Sequence, residues 1–243
     1  MKHLLISAII FFSTLLMLSS CDDDRFLIKG SGNNVENTRN PGNYKGISLC
    51  ISASVEVYRD STFRVELVGQ QNILNVIETR VNGEELTISL QRGTSIRKHN
   101  PITIRVYMPE INKVNISGSG DVKYIDEFNS RDLNTIVSGS GSITCRGNVS
   151  NRITANISGS GNIRHTGTGN CSSADYTISG SGNIYAEWLK VDNVNAKISG
   201  SGDMWIDAER QLDASISGSG SIHYRGTPNK NISISGSGKV EAL

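Results

Sequence analysis

Ile116-Ser117-Gly118-Ser119-Gly120-Asp121-Val122 is the first of seven near-copies of one phrase. Ser-Gly-Ser-Gly begins at Ser117, Ser138, Ser158, Ser179, Ser199, Ser217 and Ser235, at intervals of 21, 20, 21, 20, 18 and 18 residues. A nearly fixed period of this length decides an architecture before local propensities are consulted. Fourteen of the 25 glycines lie in these tetrapeptides, so the glycine content is architectural and does not signal a flexible linker.

Around each copy the apolar residues keep one parity. With the first serine counted as zero, position −1 reads Ile116, Val137, Ile157, Ile178, Ile198, Ile216 and Ile234. Position +5 reads Val122, Ile143, Ile163, Ile184, Met204, Ile222 and Val240. Positions −3 and +7 are mostly apolar or small. Offsets that are all odd are the period-two signature of strands with one buried face. The glycines at +1 and +3 share the inward parity, where the chain turns a corner too tight for a side chain. The serines at 0 and +2 then face outward, placed to hydrogen-bond along a stack of coils.

One coil of about twenty residues cannot close a core, but coils stacked at ~4.8 Å can, each strand pairing with its copies above and below. The fold class expected is all-β: a right-handed parallel β-helix, since parallel crossovers are right-handed in about 98% of cases. A leucine-rich horseshoe needs a Leu-x-x-Leu-x-Leu scaffold that is missing. A calcium-binding roll needs a shorter period and an Asp in every copy, whereas position +4 reads Asp121, Ser142, Asn162, Asn183, Asp203, Ser221 and Lys239.

Residues 43–110 carry short alternating segments, Ile47–Val57, Phe63–Val68, Leu86–Leu90 and Ile102–Tyr107. Turn signals such as Arg59-Asp60-Ser61 and Asn82-Gly83-Glu84 separate them. These read as irregular N-terminal strands that cap the first edge of the repeats at 111–243. Residues 21–42, polar and rich in Asn and Gly, read as a flexible tether. The last strand runs to Leu243 with no evident cap, and a bare coil end invites association, so a second copy through coil ends is an expected partner.

Residues 1–20 read as a signal peptide: Lys2 and His3, then an apolar run from Leu4 to Leu18, shorter than the ~20 residues that span a bilayer. The run ends at Leu18-Ser19-Ser20-Cys21, which resembles a lipobox, with lipid added at Cys21. The membrane, reached through that lipid, is the first expected partner, and the expected location is the cell envelope, on the outer membrane and surface-exposed. Asp22-Asp23-Asp24 resembles surface-export signals of Bacteroidetes lipoproteins, or, by the rules of enteric bacteria, an inner-membrane retention signal.

Lys+Arg 24 against Asp+Glu 23 gives no electrostatic case for nucleic acid. Cys50, Cys145 and Cys171 leave an odd thiol in an exported chain, and each reads as a small buried hydrophobe. No metal-ligand spacing is present, and no cofactor or catalytic residue is expected.

The run Val106-Tyr107-Met108-Pro109 into Ile116-Ser117-Gly118-Ser119-Gly120, the reiterated tetrapeptide and the closing Tyr224-Arg225-Gly226-Thr227-Pro228 resemble the putative auto-transporter adhesin head GIN domain family. Asn72-Ile73-Leu74 through Glu85-Leu86-Thr87-Ile88 is also similar to its N-terminal part. The likeness covers residues 45–243. It implies a β-helix in the envelope of Bacteroidetes-type lipoproteins and brings no catalytic residues.

Position +6 points outward and reads Lys123, Thr144, Arg164, Tyr185, Trp205, His223 and Glu241. In register, Arg164, Tyr185, Trp205 and His223 form one exposed stripe, flanked by Glu187, Asp207 and Arg225 at +8. Aromatics bordered by charges suit a sugar ring, and the plainer reading is a solvated sheet face with ordinary cross-strand pairs. Enzymes of polysaccharide chemistry also use β-helices, but their clustered carboxylates are not seen here, where Glu187 and Asp207 are the one neighbouring-coil pair. His165 sits inward and reads as a satisfied core histidine. Asp60-Ser61-Thr62 resembles a Bacteroidetes O-glycosylation acceptor, or an ordinary hairpin turn. The function expected is a non-enzymatic, lipid-anchored adhesion or carbohydrate-binding scaffold. The alternatives are a structural protein with an envelope-protein partner and a polysaccharide-active enzyme.

Overall fold

The computed structural model describes residues 26–243, so the signal peptide and Cys21 lie outside the described residues. The chain begins with β1 (Phe26–Lys29), β2 (Asn34–Arg39), β3 (Gly46–Leu49), β4 (Ser54–Arg59) and β5 (Arg64–Gln70). A single turn, α1 (Gln71–Leu74), leads to β6 (Ile77–Asn82), β7 (Glu85–Leu90), β8 (Thr94–Arg97) and β9 (Thr103–Met108). The repeats supply β10 (Lys113–Ile116), β11 (Asp121–Tyr124), β12 (Ser130–Val137), β13 (Ser142–Cys145), β14 (Val149–Ile157) and β15 (Asn162–His165). They continue as β16 (Asn170–Gly180), β17 (Asn183–Gly200), β18 (Met204–Gly218), β19 (Ser221–Arg225), β20 (Asn229–Gly236) and β21 (Lys239–Ala242).

Each tetrapeptide turns the chain from one sheet face to the next. Before the corner, β10, β12, β14 and β16 pair in parallel register, carrying Val114 onto Thr135 and Ile157 onto Ile178. After it, β11, β13 and β15 do the same, with Val122 on Ile143 and Ile143 on Ile163. The later strands β17 and β18 run around a corner and contribute to both faces. The aliphatic columns at −1 and +5 are buried through the stack and become exposed only at the last coil, where Ile234 is 43% accessible. This is the all-β solenoid that the repeat predicts, with the odd positions inside.

The glycines meet two separate demands. Gly180 and Gly200, at +1, have φ of +157° and +144°, a conformation costly for any residue with a Cβ. Gly202, at +3, has ordinary φ, but a Cβ there would collide with the backbone carbonyl of Gly182 one coil below. The serines do face outward, and the bonds along the stack at this corner come from the backbone. The Ser181 and Gly182 N–H groups both donate to the Gly159 carbonyl, at 2.9 and 3.2 Å. Position +4 adds a side-chain ladder: the Asn183 N–H donates to Asn162 Oδ1 (3.2 Å), Asp203 N–H to Asn183 Oδ1 (2.9 Å) and Ser221 N–H to Asp203 Oδ1 (2.7 Å). Amide and carboxylate oxygens there satisfy the first N–H of the next strand.

The N-terminal strands hold an unmarked coil. β3 and β4 pair in parallel with β10 and β11, placing Leu49 under Ile116 and Val55 under Val122. The corner between them is Cys50-Ile51-Ser52-Ala53, a degenerate copy of the tetrapeptide in the same phase. On the other side of this coil lie β7 and β9, also parallel, although they follow it in sequence. The chain thus lays down the second coil first, adds the outer one, and returns to build the repeats. Antiparallel β5, β6 and β2 close the outer edge.

The described part of the expected tether, residues 26–42, is built into strands instead. β2 pairs antiparallel with β5 from Asn34 to Arg39, and the Arg39 guanidinium donates to the carbonyls of Ile77 (2.6 Å) and Leu74 (2.8 Å). β1 forms a separate two-stranded parallel ribbon with β8. An edge strand has little apolar surface to bury, so its composition imitates a linker. Cys145 and Cys171 are buried, but Cys50 is exposed because it occupies the outward serine position of its degenerate corner.

Candidate ligand-binding face

In-register stacking puts every +6 side chain into one column. Arg164 pairs with Tyr185, Tyr185 with Trp205, Trp205 with His223 and His223 with Glu241. The rings of Tyr185 and Trp205 stack at 4.8 Å and 9°, and those of Trp205 and His223 at 5.1 Å and 16°. The Arg164 guanidinium covers the other face of Tyr185 at 3.9 Å, and Glu241 Oε1 lies 3.1 Å from His223 Nδ1. The strand spacing and ring thickness together dictate this arrangement. It has a chemical consequence: the ring faces of Tyr185 and Trp205 are occupied by their neighbours. A sugar cannot lie flat on them, and the column meets a ligand with ring rims and polar edges.

The column continues down the solenoid beyond the four residues singled out from sequence. Below Arg164 stand Thr144, Lys123 on β11, Glu56 on β4, Arg105 on β9 and Glu66 on β5. Arg105 lies 3.7 Å from carboxylate oxygens of Glu36, Glu56 and Glu66. Beside it Tyr58 stacks on Tyr107 at 5.1 Å, and the Arg64 guanidinium lies 3.4 Å from the centre of the Tyr107 ring. The lower end is therefore an ion-pair network richer in carboxylates than in guanidinium groups, and the upper end a closed aromatic stack. Sequence reading misses the lower end because its coils carry no tetrapeptide to set their phase.

Between the two ends lies a shallow groove of about 570 Å³ lined by Lys123, Thr144, Arg146 and Thr166 with Glu127. Thr144 is the small rung of the column and lines this groove. Arg146 is matched by Glu127 at 3.4 Å. Among the described residues, Lys123 and Arg164 have no carboxylate within ion-pair distance. Two cations without carboxylate partners thus stand on the rungs either side of the threonine, their backbone positions ~10 Å apart, with the Arg164 guanidinium turned toward Tyr185.

The +8 positions do not line up as the sequence spacing suggests. Glu187, Trp188 and Leu189 form a bulge between the pairs Ala186–Ile206 and Lys190–Asp207, with Leu189 turned into the core. Glu187 and Asp207 are consequently not register partners, and Asp207 lies against Lys190 on one side and Arg225 on the other. Burial is the main influence raising the Asp207 pKa above the usual carboxylate range, with Glu209 adding repulsion. The bulge also exposes Trp188, 53% accessible, with the Arg225 guanidinium 4.5 Å from its ring centre. Among the described residues no three acidic, His or Cys side chains are grouped to hold a metal ion.

His165 is buried as expected but is not satisfied, since its Nε2 finds no partner; desolvation pushes its pKa down to about 4. Asp60-Ser61-Thr62 forms a tight polar turn: the Thr62 N–H and hydroxyl both donate to Asp60 Oδ1 at 3.0 Å. Those bonds, with the Arg64 guanidinium, hold the Asp60 carboxyl down to about 2.

Residues 43–228 match the family model described as putative auto-transporter adhesin, head GIN domain, and the chain belongs to that family. Its fold is similar to that of a putative adhesin from Bacteroides fragilis, with a TM-score of 0.80 at 22% identity, covering 89% of this chain and 100% of that one. A putative lipid binding protein from Parabacteroides distasonis is similar with a TM-score of 0.73 at 25% identity, covering 90% and 100%. A putative adhesin from Parabacteroides merdae follows with a TM-score of 0.69 at 22% identity, covering 89% and 99%. No curated protein matches the chain.

Proposed function

We propose that this member of the head GIN domain family is a lipid-anchored, non-catalytic adhesin of the outer membrane that binds acidic carbohydrate along its +6 column. The observation that carries the ligand class is the pair of cations on the rungs either side of Thr144: Lys123 lines the groove, Arg164 stands above it against Tyr185, and neither has a carboxylate partner among the described residues. An anionic group seated there meets two cations carried on backbone rungs that the sheet fixes in advance. The stacked rims of Tyr185, Trp205 and His223 extend the contact along the solenoid axis, at a rung spacing that suits a polymer of hydroxyl-rich rings. The family description supports the adhesin role, and the scattered carboxylates and mispaired Glu187 and Asp207 support a site without catalysis. Attachment through Cys21 follows from the lipobox-like sequence.

An array of neutral and acidic oligosaccharides, probed with the chain from Asp22 onward, tests the reading. Binding confined to acidic glycans, weakened by salt and lost in Lys123→Ala/Arg164→Ala, is the expected result. Binding that the double variant leaves untouched, or binding to neutral glycans alone, would refute it.

A further inference from the structure

The β1–β8 ribbon stands apart from the main sheet and carries an unusual surface. Phe26 is 80% accessible and Leu27 54%, the two most exposed positions of β1's apolar run. Around them lie Lys29 on β1, Arg92 in the preceding turn, Arg97 at the end of β8 and Lys98 just beyond it, all exposed. Register places Phe26 opposite Thr94 and Lys29 opposite Arg97, so Arg92 lies at the Phe26 end of the ribbon and Lys29, Arg97 and Lys98 at the other. Residues 26–35 and 91–109 contain no Asp or Glu. Among the described residues none of these four cations has a carboxylate within ion-pair distance. The ribbon is also held firmly: the Phe26 N–H donates to the Gly93 carbonyl at 2.8 Å, and the Asn72 amide donates to the Lys29 carbonyl at 2.7 Å.

Covalent geometry says where this surface must sit. Phe26 follows Cys21 by five residues, which span at most ~18 Å even when fully extended. A lipid on Cys21 therefore keeps Phe26 within that distance of the bilayer. The repeats stack away from this end of the molecule, so the exposed Ile232, Ile234 and Leu243 of the last coil are not under the same constraint.

We propose that the β1–β8 ribbon is a membrane-contact surface: Phe26 and Leu27 enter the interfacial layer of the anchoring bilayer while Lys29, Arg92, Arg97 and Lys98 engage anionic headgroups. This rests on the reading of Cys21 as the lipid anchor. Its consequence is orientation, because a lipid tether alone leaves the solenoid free to swing, whereas a seated ribbon fixes which face is presented outward. Aromatic and basic groups together are the chemistry of interfacial anchors, and a second point of contact limits how the tethered body can turn. Asp22, Asp23 and Asp24 oppose this attraction, so they are kept in the test.

The test uses the unlipidated chain from Asp22 onward, sedimented with vesicles of phosphatidylcholine alone or mixed with phosphatidylglycerol. Binding at least tenfold stronger to the mixed vesicles, lowered at least tenfold by Phe26→Ala/Leu27→Ala and by Lys29→Glu/Arg97→Glu, is expected. Equal binding to both vesicles, or none, would overturn the proposal. A Phe26→Trp chain read by brominated-lipid quenching gives a second measurement on an otherwise intact ribbon, and absence of quenching on mixed vesicles would also overturn it. Radiolabelled palmitate incorporation into the full-length chain in cells reads Cys21 separately. A lipidated protein whose soluble form ignores vesicles would sink this inference alone, and an unlipidated one would sink the anchor.

Discussion

Replacing Gly120 by alanine isolates the steric demand of coil stacking. Gly120 is the +3 glycine of the first tetrapeptide, and its φ lies outside the left-handed region, so alanine brings no backbone strain. The new Cβ would lie 2.6 Å from the Ile51 carbonyl oxygen and 2.7 Å from both the Ala53 carbonyl oxygen and Leu49 Cδ2. Ordinary contact begins at 3.4 Å, so three neighbours must each give by more than half an ångström. Two of them are backbone atoms of the degenerate coil, and the Ala53 oxygen is held by the Asp121 N–H at 2.9 Å. Overpacking of this kind costs ~1–3 kcal/mol, and loosening that hydrogen bond adds ~1 kcal/mol. The expected loss is about 2–4 kcal/mol in urea unfolding followed by circular dichroism, with little change in slope. Ser119→Ala, one residue earlier on the outward side, should stay within ~0.5 kcal/mol. A Gly120→Ala protein as stable as the Ser119→Ala protein would refute the stacking of this corner on Cys50–Ala53.

Other outcomes follow from the column and the core. Trp205→Ala removes two stacking partners, and a double-mutant cycle with His223→Ala should return a coupling of ~0.5–1.5 kcal/mol by chemical denaturation; a coupling of zero would mean the rings do not stack. Burial keeps His165 neutral in the native protein down to about pH 4, whereas the unfolded chain takes up a proton near pH 6.5. Stability should therefore be unaffected by this group above pH 6.5 and fall as the pH drops from there toward 4, by up to about 3 kcal/mol. His165→Met should flatten that part of the profile, and an unchanged difference between the two proteins across this range would contradict it. In a chain lacking Cys21, Cys50 should react rapidly with maleimide, while Cys145, whose thiol burial pushes up to about 12, and Cys171 should react only on unfolding. Fast labelling of more than one thiol in the native protein would contradict the burial.

The repeated corner made the solenoid legible, because glycine at +1 and +3 and aliphatics at −1 and +5 are direct imprints of coils stacked at one strand spacing. The degenerate corner escaped notice because Ile51 and Ala53 stand where glycines do elsewhere. Its phase was nonetheless visible in Leu49, Ile51, Ala53, Val55 and Val57, all at odd offsets. Those larger residues fit because no tight corner stacks on the far side, where the chain leaves β7 for the excursion that carries β8. The inverted order of the first two coils had no such imprint, since β7 and β9 are joined by a long connection without the motif. The same argument covers β1 and β2, whose edge positions bury too little to mark them as strands. At the candidate face, register was enough to align Arg164, Tyr185, Trp205 and His223. Sequence could not show that their rings close on one another, nor that a bulge at Glu187–Leu189 shifts the +8 positions out of line.

Cysteine cross-linking tests most directly whether the +6 side chains form one column. In a chain with Cys50→Ser and no Cys21, Thr144→Cys/Arg164→Cys places two outward thiols on register partners of adjacent coils, within the reach of a disulfide. The account predicts an intramolecular disulfide on mild oxidation, seen by mass spectrometry. It predicts none for Thr144→Cys/Ile163→Cys, where the second thiol points into the core. A bond in the second pair, or in neither, would mean that the coils are not stacked in this register and would remove the column on which the proposed function stands.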